Sequence, residues 1–399
     1  MSKKAPLPAR KLKPATVAVH EGALRSQFNE TAESIFLTQG YIYDSMEQAE
    51  ARFNNTDPGF QYSRFSNPTV TMFENRMAAL EGAEAARATA TGMAAVTAAI
   101  LSFVNAGEHI VAAKALFGSC RYIIEDLAPR FGITSTLVDG SDLDQWQEAV
   151  RPNTKAFFLE TPTNPTLDIY DISAVAEIAH AAGAKLIIDN VFATPVFQKP
   201  LALGADVVCY SATKHIDGQG RTLGGIVLGT EEFVTGPLQM FLRQTGPSLS
   251  PFNAWVMLKG LETLALRVEK AAANAAKIAD FLADHPKVTR AIYPFRPDHP
   301  HVALARKQMT AGSTLVTFDV RGGKAEAFRF GGALEIVKIT NNLGDAKSLI
   351  THPATTTHQR LTPEARAELG IGDSMLRLSV GIEDADDLIE DISIALDAI

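Results

Sequence analysis

The stretch Val207-Val208-Cys209-Tyr210-Ser211-Ala212-Thr213-Lys214-His215 decides the fold. Residues 207–210 are apolar without alternation, which predicts a short strand buried on both faces. Two hydroxyls and a lysine follow at once. Ligands of open α/β sheets bind beyond the carboxyl ends of the strands, so the residues after each apolar run are the first candidates for chemistry. Two earlier runs behave alike. Residues 156–159 lead into Glu160-Thr161-Pro162-Thr163-Asn164-Pro165, and residues 185–188 lead into Asp189.

Helical patterns separate these runs. Residues 68–80 read as a helix ending near Gly82, and the Ala-rich residues 93–103 as a buried helix after Thr91-Gly92. Residues 109–113 read as a strand, and 121–131 as a helix stopped by Gly132. Ser141 is placed to cap a helix running to Val150, and Asp171 one that ends at Gly183. Continuous apolar strands alternating with helices predict an α/β protein with a mostly parallel sheet covered on both faces. A long helix is expected from about Leu261, through Leu264, Val268, Ala272 and Ala275. The strands expected at 314–320 and 375–380 alternate polar and apolar residues, which predicts a smaller C-terminal α+β domain with one wet sheet face. Residues 1–66 show no strong periodicity and read as an extended arm. The expected organisation is an arm over 1–66, a large domain over 67–260 and a small domain over 261–399, without internal repeats.

Composition sets the outer bounds. A chain of 399 residues, 46% hydrophobic, has ample core for two domains. Its 37 basic and 45 acidic residues, a net charge of −8, give no support for a nucleic-acid partner. The one basic run, Lys3, Lys4, Arg10, Lys11 and Lys13, lies in a Pro-rich tail and reads as disordered. Cys120 and Cys209 sit among apolar residues and read as small buried thiols of a reducing compartment. No apolar run reaches membrane-spanning length and no signal peptide opens the chain, so a cytoplasmic protein without a membrane partner is expected.

One amide, one carboxylate, two hydroxyls and one lysine thus converge, on this reading, at one sheet edge. Together they meet the demands of pyridoxal 5'-phosphate. Asp189 would pair with the pyridinium nitrogen and keep the ring an electron sink. Lys214 would hold the cofactor as a Schiff base and then act as a mobile base, its pKa lowered by burial beside a cationic ring. Ser211 and Thr213, two apart on one side of an extended segment, would donate to the phosphate. Gly92 and Met93 open a helix whose N–H groups favour an anion. Asn164 would donate to the ring hydroxyl oxygen. A strand-end Asp alone is often a cap, and a lone lysine a surface charge; only their joint occurrence carries the reading. The stretch Gly218-Gln219-Gly220-Arg221-Thr222-Leu223-Gly224 has the look of a nucleotide loop, but its spacing is wrong and it follows the lysine, so it reads as a flexible loop. His299, His301, His352 and His358 lack a carboxylate or cysteine set at ligand spacing and read as loop histidines, with no metal expected.

From about Thr16 to its end the chain resembles the Cys/Met-metabolism pyridoxal-phosphate enzymes. The resemblance rests on Tyr62-Ser63-Arg64 followed by Asn67-Pro68-Thr69, on Gly92-Met93, on Glu160 through Pro165, and on Asp189-Asn190. It rests further on Ser211-Ala212-Thr213-Lys214 and on Arg377-Leu378-Ser379-Val380-Gly381-Ile382-Glu383. It implies the aspartate-aminotransferase-like type I fold of pyridoxal-phosphate-dependent transferases. It also implies that Tyr62 and Arg64 reach into a neighbouring subunit and bind the phosphate there, within a homotetramer built as a dimer of dimers. Arg377 would grip the substrate α-carboxylate, a bidentate task suited to a guanidinium.

Two departures from the family pattern narrow the reaction. Lyases of the family usually carry Tyr where this chain has Phe117, the ring that stacks on the cofactor. Phe stacks as well but neither gives nor takes a proton, which suits loss of a carboxylate rather than a thiolate. Asn342 stands where the family often has Ser. With the loop after Lys214, and more weakly Phe65, it resembles the O-succinylhomoserine sulfhydrylase branch. The expectation is γ-replacement in methionine biosynthesis, giving homocysteine and succinate from O-succinylhomoserine and sulfide. Lys214 would shuttle protons at both Cα and Cβ, and Arg360 or Arg221 would meet the distal succinyl carboxylate. Alternatives are an O-acetylhomoserine sulfhydrylase, a cystathionine γ-synthase, a cystathionine or methionine lyase, and a pyridoxal-phosphate-binding protein without turnover. An intact Lys214, Asp189 and Arg377 set argues against the last, because binding alone needs no mobile base.

Overall fold

The computed structural model describes residues 12–399. Lys3, Lys4, Arg10 and Lys11, with the disorder expected of their tail, lie outside the described residues. The strands are β1 (Ala85–Thr89), β2 (His109–Ala113), β3 (Thr134–Val138), β4 (Thr154–Glu160), β5 (Lys185–Asp189), β6 (Val207–Ser211), β7 (Gly225–Gly229), β8 (Val288–Ile292), β9 (Leu315–Val320), β10 (Lys338–Ile339), β11 (Leu349–Thr351) and β12 (Met375–Ser379). The chain forms two compact units. The first takes the residues up to Phe103, Cys209–Thr213 and Arg221–Thr263; the second takes Val104–Val208, Lys214–Gly220 and Leu264–Ile399.

In the first unit β1 runs antiparallel to β7. The helix Pro68–Glu81 starts where the Asn67 side chain accepts from Thr69 N–H, and it stops at Gly82, whose φ of 87° suits glycine. It packs against the helix Pro251–Leu261. From the arm, Glu33 accepts from Arg76 Nη2 at 2.7 Å and from Lys259 Nζ at 3.1 Å, an ion cluster in which Glu33 and Arg76 are buried and Lys259 is partly exposed. The expectation of an extended arm is corrected in part, because Pro14–His20 and Met46–Phe53 are helical. The second buries no residue and the first only Ala18, so neither leaves an apolar stripe in the sequence.

In the second unit β2 pairs in parallel with β3 and β4, and β4 in parallel with β5. All five residues of β2 are buried, as a strand covered on both faces requires. A further sheet has the order β10-β11-β12-β9-β8. The long helix Leu264–Asp284 lies against β8 and β9 and turns Val268, Ala275, Ile278, Ala279 and Leu282 inward at helical spacing. It starts at Leu264, not at Leu261, which instead closes the preceding helix. Asp142, not Ser141, caps the next helix, Leu143–Glu148, accepting from Asp144 and Gln145 N–H; Ser141 is turned back onto Asp139. Residues from Gly118 to Phe131 are helical, but the winding changes from α to π at Ile123 and to 3-10 at Ala128. Pro129, with no N–H to give, sits where it tightens.

The expected wet face of the small sheet is overturned. Every residue of β9 and β12 is buried. The polar positions form one cross-strand row, with Thr351 opposite Arg377 and Arg377 opposite Thr317. Thr317 Oγ1 donates to Pro165 O at 2.6 Å, and Arg377 bonds Asn164. The polar face of these strands is therefore turned onto the loop that follows β4, not onto water.

Candidate active site

The second unit assembles most of the expected site. Lys214, three residues past the end of β6, donates from Nζ to Asn342 Oδ1 at 2.6 Å. Burial, and after it the Arg377 charge, lower its pKa to about 8. Arg377, 2% exposed in the middle of β12, donates from Nη1 to Asn164 Oδ1 at 2.9 Å and from Nη2 to Asn341 O at 3.1 Å. Its Nε is buried without a partner. Burial lowers even this guanidinium to about 10, against the pull of Glu160. A buried cation with an unused donor is the arrangement a carboxylate ligand completes. Since Asn164 Oδ1 accepts from Arg377, its amide nitrogen is left as a donor, the role expected of it.

Asp189, the last residue of β5, lies in register with Glu160, the last residue of β4. Both are buried. Burial raises Asp189 to about 6, although Val191 N–H donates to it at 3.1 Å. Burial, then the neighbouring Asp189 charge, hold Glu160 well above the carboxylate range. Two adjacent buried carboxyls call for a cation, and a protonated pyridine nitrogen is one that fits. Glu160 has no role among the expected site residues. Its signal in the sequence is a second acidic residue at the end of a neighbouring buried strand. Glu160 Oε2 accepts from Phe117 N–H at 3.0 Å and so fixes the backbone that presents the Phe117 ring.

The first unit carries the expected phosphate ligands. Gly92 opens the helix Gly92–Leu101, which Thr91 caps by accepting from Ala94 N–H at 3.0 Å. A Cβ on Gly92 would stand 2.5 Å from Ser211 Cβ, so only glycine lets the helix start pass so close to that hydroxyl residue. Met93 follows in the same first turn. Backbone donors and a serine hydroxyl thus form one cradle, the chemistry a phosphate needs. The Thr213 hydroxyl is paired with both backbone groups of Gly224, donating to its O at 3.2 Å and accepting from its N–H at 3.1 Å. Tyr62 and Arg64 are exposed, and the Arg64 guanidinium lies 5.4 Å from the Tyr62 ring centre and 4.8 Å from that of Phe65.

Arg360 and Phe117 line one cavity of about 800 Å³ in the second unit, together with Arg121, Phe328, Ile339 and His358. Arg121 is paired with Glu125, whereas Arg360 is exposed and has no carboxylate partner among the described residues. Arg221, the other candidate cation, belongs to the first unit and is exposed. His299 and His352 are held by Leu167 O and Asp373 O. Among the described residues no cluster of His, Cys, Asp or Glu suits a metal ion, and no helix is long and apolar enough to cross a membrane.

The family model described as "Cys/Met metabolism PLP-dependent enzyme" matches residues 15–397. An O-succinylhomoserine sulfhydrylase of Mycobacterium tuberculosis is 53% identical over 388 residues, which cover 96% of this chain and 95% of that protein. One of Pseudomonas aeruginosa is 49% identical over 384 residues, covering 96% and 95%. A putative O-acetylhomoserine (thiol)-lyase of Campylobacter jejuni, solved with a pyridoxyl-lysine-monophosphate, is 32% identical. It superposes with a TM-score of 0.93 over 97% of this chain and all of that one.

Proposed function

The chain belongs to the Cys/Met metabolism pyridoxal-phosphate-dependent enzymes and has their type I fold, and from that premise we propose that it makes L-homocysteine and succinate from O-succinyl-L-homoserine and sulfide. The observation that carries the choice of leaving group is the cavity shared by Phe117 and Arg360. Phe117 has no proton for a departing thiolate, and a carboxylate needs none. Arg360, without an acidic partner, suits the distal succinyl carboxylate.

Bound pyridoxal phosphate supplies an electron sink for charge generated at the substrate. Lys214 would carry the cofactor, with Asp189 facing the pyridine nitrogen and Asn164 the ring hydroxyl oxygen. Phe117 would stack on the ring. Ser211, Gly92 and Met93 would hold the phosphate, joined by Thr213 once its hydroxyl turns from Gly224 O, and by Tyr62 and Arg64 of a neighbouring copy. Arg377 grips the α-carboxylate. Lys214, near neutrality in its proton affinity, takes and returns the protons at Cα and Cβ, and Asn342 holds its amine in place. The Cγ–O bond breaks with its electron pair on oxygen, hydrosulfide forms the Cγ–S bond, and the charge balance is unchanged. The same reading gives an arm over 1–66, a large domain over 67–260, a small domain over 261–399, a cytoplasmic homotetramer and a place in methionine biosynthesis.

The test is direct. The cofactor-loaded protein is given sulfide with either O-succinyl- or O-acetylhomoserine, and homocysteine is quantified against 2-oxobutyrate. Homocysteine made preferentially from the succinyl ester supports the proposal. A preference for the acetyl ester moves it to an acetyl-specific enzyme, and dominant oxobutyrate with sulfide present makes it a lyase.

A further inference from the structure

An α-amino acid carries its carboxylate on the same carbon that gives up a proton. The base that takes this proton must therefore stand at a set place relative to the group that grips the carboxylate. Lys214 and Arg377 lie on different elements, and one short segment, residues 341–344, ties them together. Arg377 Nη2 donates to Asn341 O at 3.1 Å and to Asn342 O at 3.4 Å. The Asn342 side chain accepts from Lys214 Nζ at 2.6 Å. Two residues on, the buried Gly344 N–H donates to Ser379 Oγ at 2.9 Å. Ser379 is 1% exposed and closes β12 two residues after Arg377, on the same face of the strand. Gly344, with a φ of 73°, also passes close to His215: a Cβ on it would stand 2.7 Å from the His215 backbone nitrogen. β12 thus holds both ends of the segment, whose turn is wedged against the residue next to Lys214.

Resting on Lys214 as the cofactor lysine of the function proposed above, we propose that Ser379 is a positioning residue: by fixing Gly344 it sets the place of Asn342, and through Asn342 the place of the Lys214 amine relative to Arg377. It acts through these neighbours and not on the substrate itself. Removing the hydroxyl leaves the buried Gly344 N–H without its acceptor, and the segment must shift to find another. Loss of Ser379 Oγ and loss of the Asn342 amide therefore disturb one and the same thing, the direction of Nζ. Residues that act along one chain of contacts are not additive.

The test mixes cofactor-free protein with pyridoxal phosphate and follows covalent capture by absorbance, a readout that needs no substrate. Ser379→Ala should slow capture about tenfold, as Asn342→Ala does. The double variant should be slower than either single by no more than about threefold, whereas independent roles would give about a hundredfold in all. Ser379→Cys, close in size but with a weaker acceptor, should fall between wild type and Ser379→Ala, and it keeps the test decisive where the alanine variant does not fold. In the loaded protein kcat with O-succinylhomoserine should fall by the same factors. Capture at the wild-type rate in Ser379→Ala and Ser379→Cys overturns the inference, and so do losses that multiply in the double variant. A wild-type protein that captures the cofactor but makes no homocysteine from either ester overturns the functional reading and leaves this inference standing. A wild-type protein that captures no cofactor overturns both.

Discussion

Lys214 and Asn342 are joined by a 2.6 Å hydrogen bond from Nζ to Oδ1, although 128 residues separate them in the chain. The bond sets the direction of the amine, and burial sets its proton affinity. With a pKa of about 8, half of the amine is neutral at that pH, far below the ordinary lysine range. Only the neutral amine attacks an aldehyde. Covalent capture of pyridoxal phosphate by cofactor-free protein should therefore speed up as pH rises from 7 to 9, with a midpoint near 8, followed by absorbance. Asn342→Ala should slow capture and turnover by about tenfold or more through misplacement of Nζ. Lys214→Ala should abolish both covalent capture and turnover.

Arg377 is the next test of the site. Its Nη1 gives one N–H to Asn164 and keeps a second, its Nη2 is turned to Asn341 O and Asn342 O, and Nε has no partner. Lysine keeps the charge and loses the fork. Arg377→Lys should lower kcat/KM by about 30- to 100-fold, matching roughly 2–3 kcal/mol for charge-assisted bonds to the carboxylate. Steady-state kinetics with O-succinylhomoserine checks this. A wild-type kcat/KM would remove Arg377 from the carboxylate site.

Phe117 tests which reaction the site favours. Its backbone is fixed by Glu160, so Phe117→Tyr should place a hydroxyl on an unchanged frame. Homocysteine formation should stay within about threefold, because a carboxylate leaves without acid help. Elimination from a thioether amino acid should rise about tenfold or more, the low end of what a positioned acid supplies. Oxobutyrate released from methionine or cystathionine is the readout.

The strands that end at the chemistry were legible because they are short and uniformly apolar. β4, β5 and β6 lie where the runs at 156–159, 185–188 and 207–210 placed them, β5 and β6 one residue longer and β4 three. β1, with the sequence Ala-Ala-Arg-Ala-Thr, and β3, with Thr-Ser-Thr-Leu-Val, went unseen, since neither shows an apolar run or an alternation of strand type. The small sheet misled for a more informative reason. Alternation in β9 and β12 normally marks a solvated face, but here Thr317 and Arg377 point into the site, and polarity reports function instead of water. Glu160 carries no sequence signal of its role because that role depends on a long-range neighbour, Asp189 across a strand pair.

The ion cluster around Glu33 links the arm to acid stability. Burial alone would raise its pKa, but the bonds from Arg76 and Lys259 outweigh it and hold the carboxyl at about 2. A folded pKa below the unfolded one means that the unfolded chain binds the extra proton as pH falls. The stability Glu33 contributes is therefore full above about pH 4.5 and drains away between there and about 2. Arg76, fully buried, has no other carboxylate nearer than Glu262 at 3.8 Å. Glu33→Gln leaves that guanidinium without its main counter-charge and should cost about 3–5 kcal/mol at pH 7. Chemical denaturation at pH 7 and pH 3 checks both statements: the gap between wild type and Glu33→Gln should be wide at the first pH and narrower at the second. A gap that does not change with pH would mean that the cluster acts through packing and not through charge.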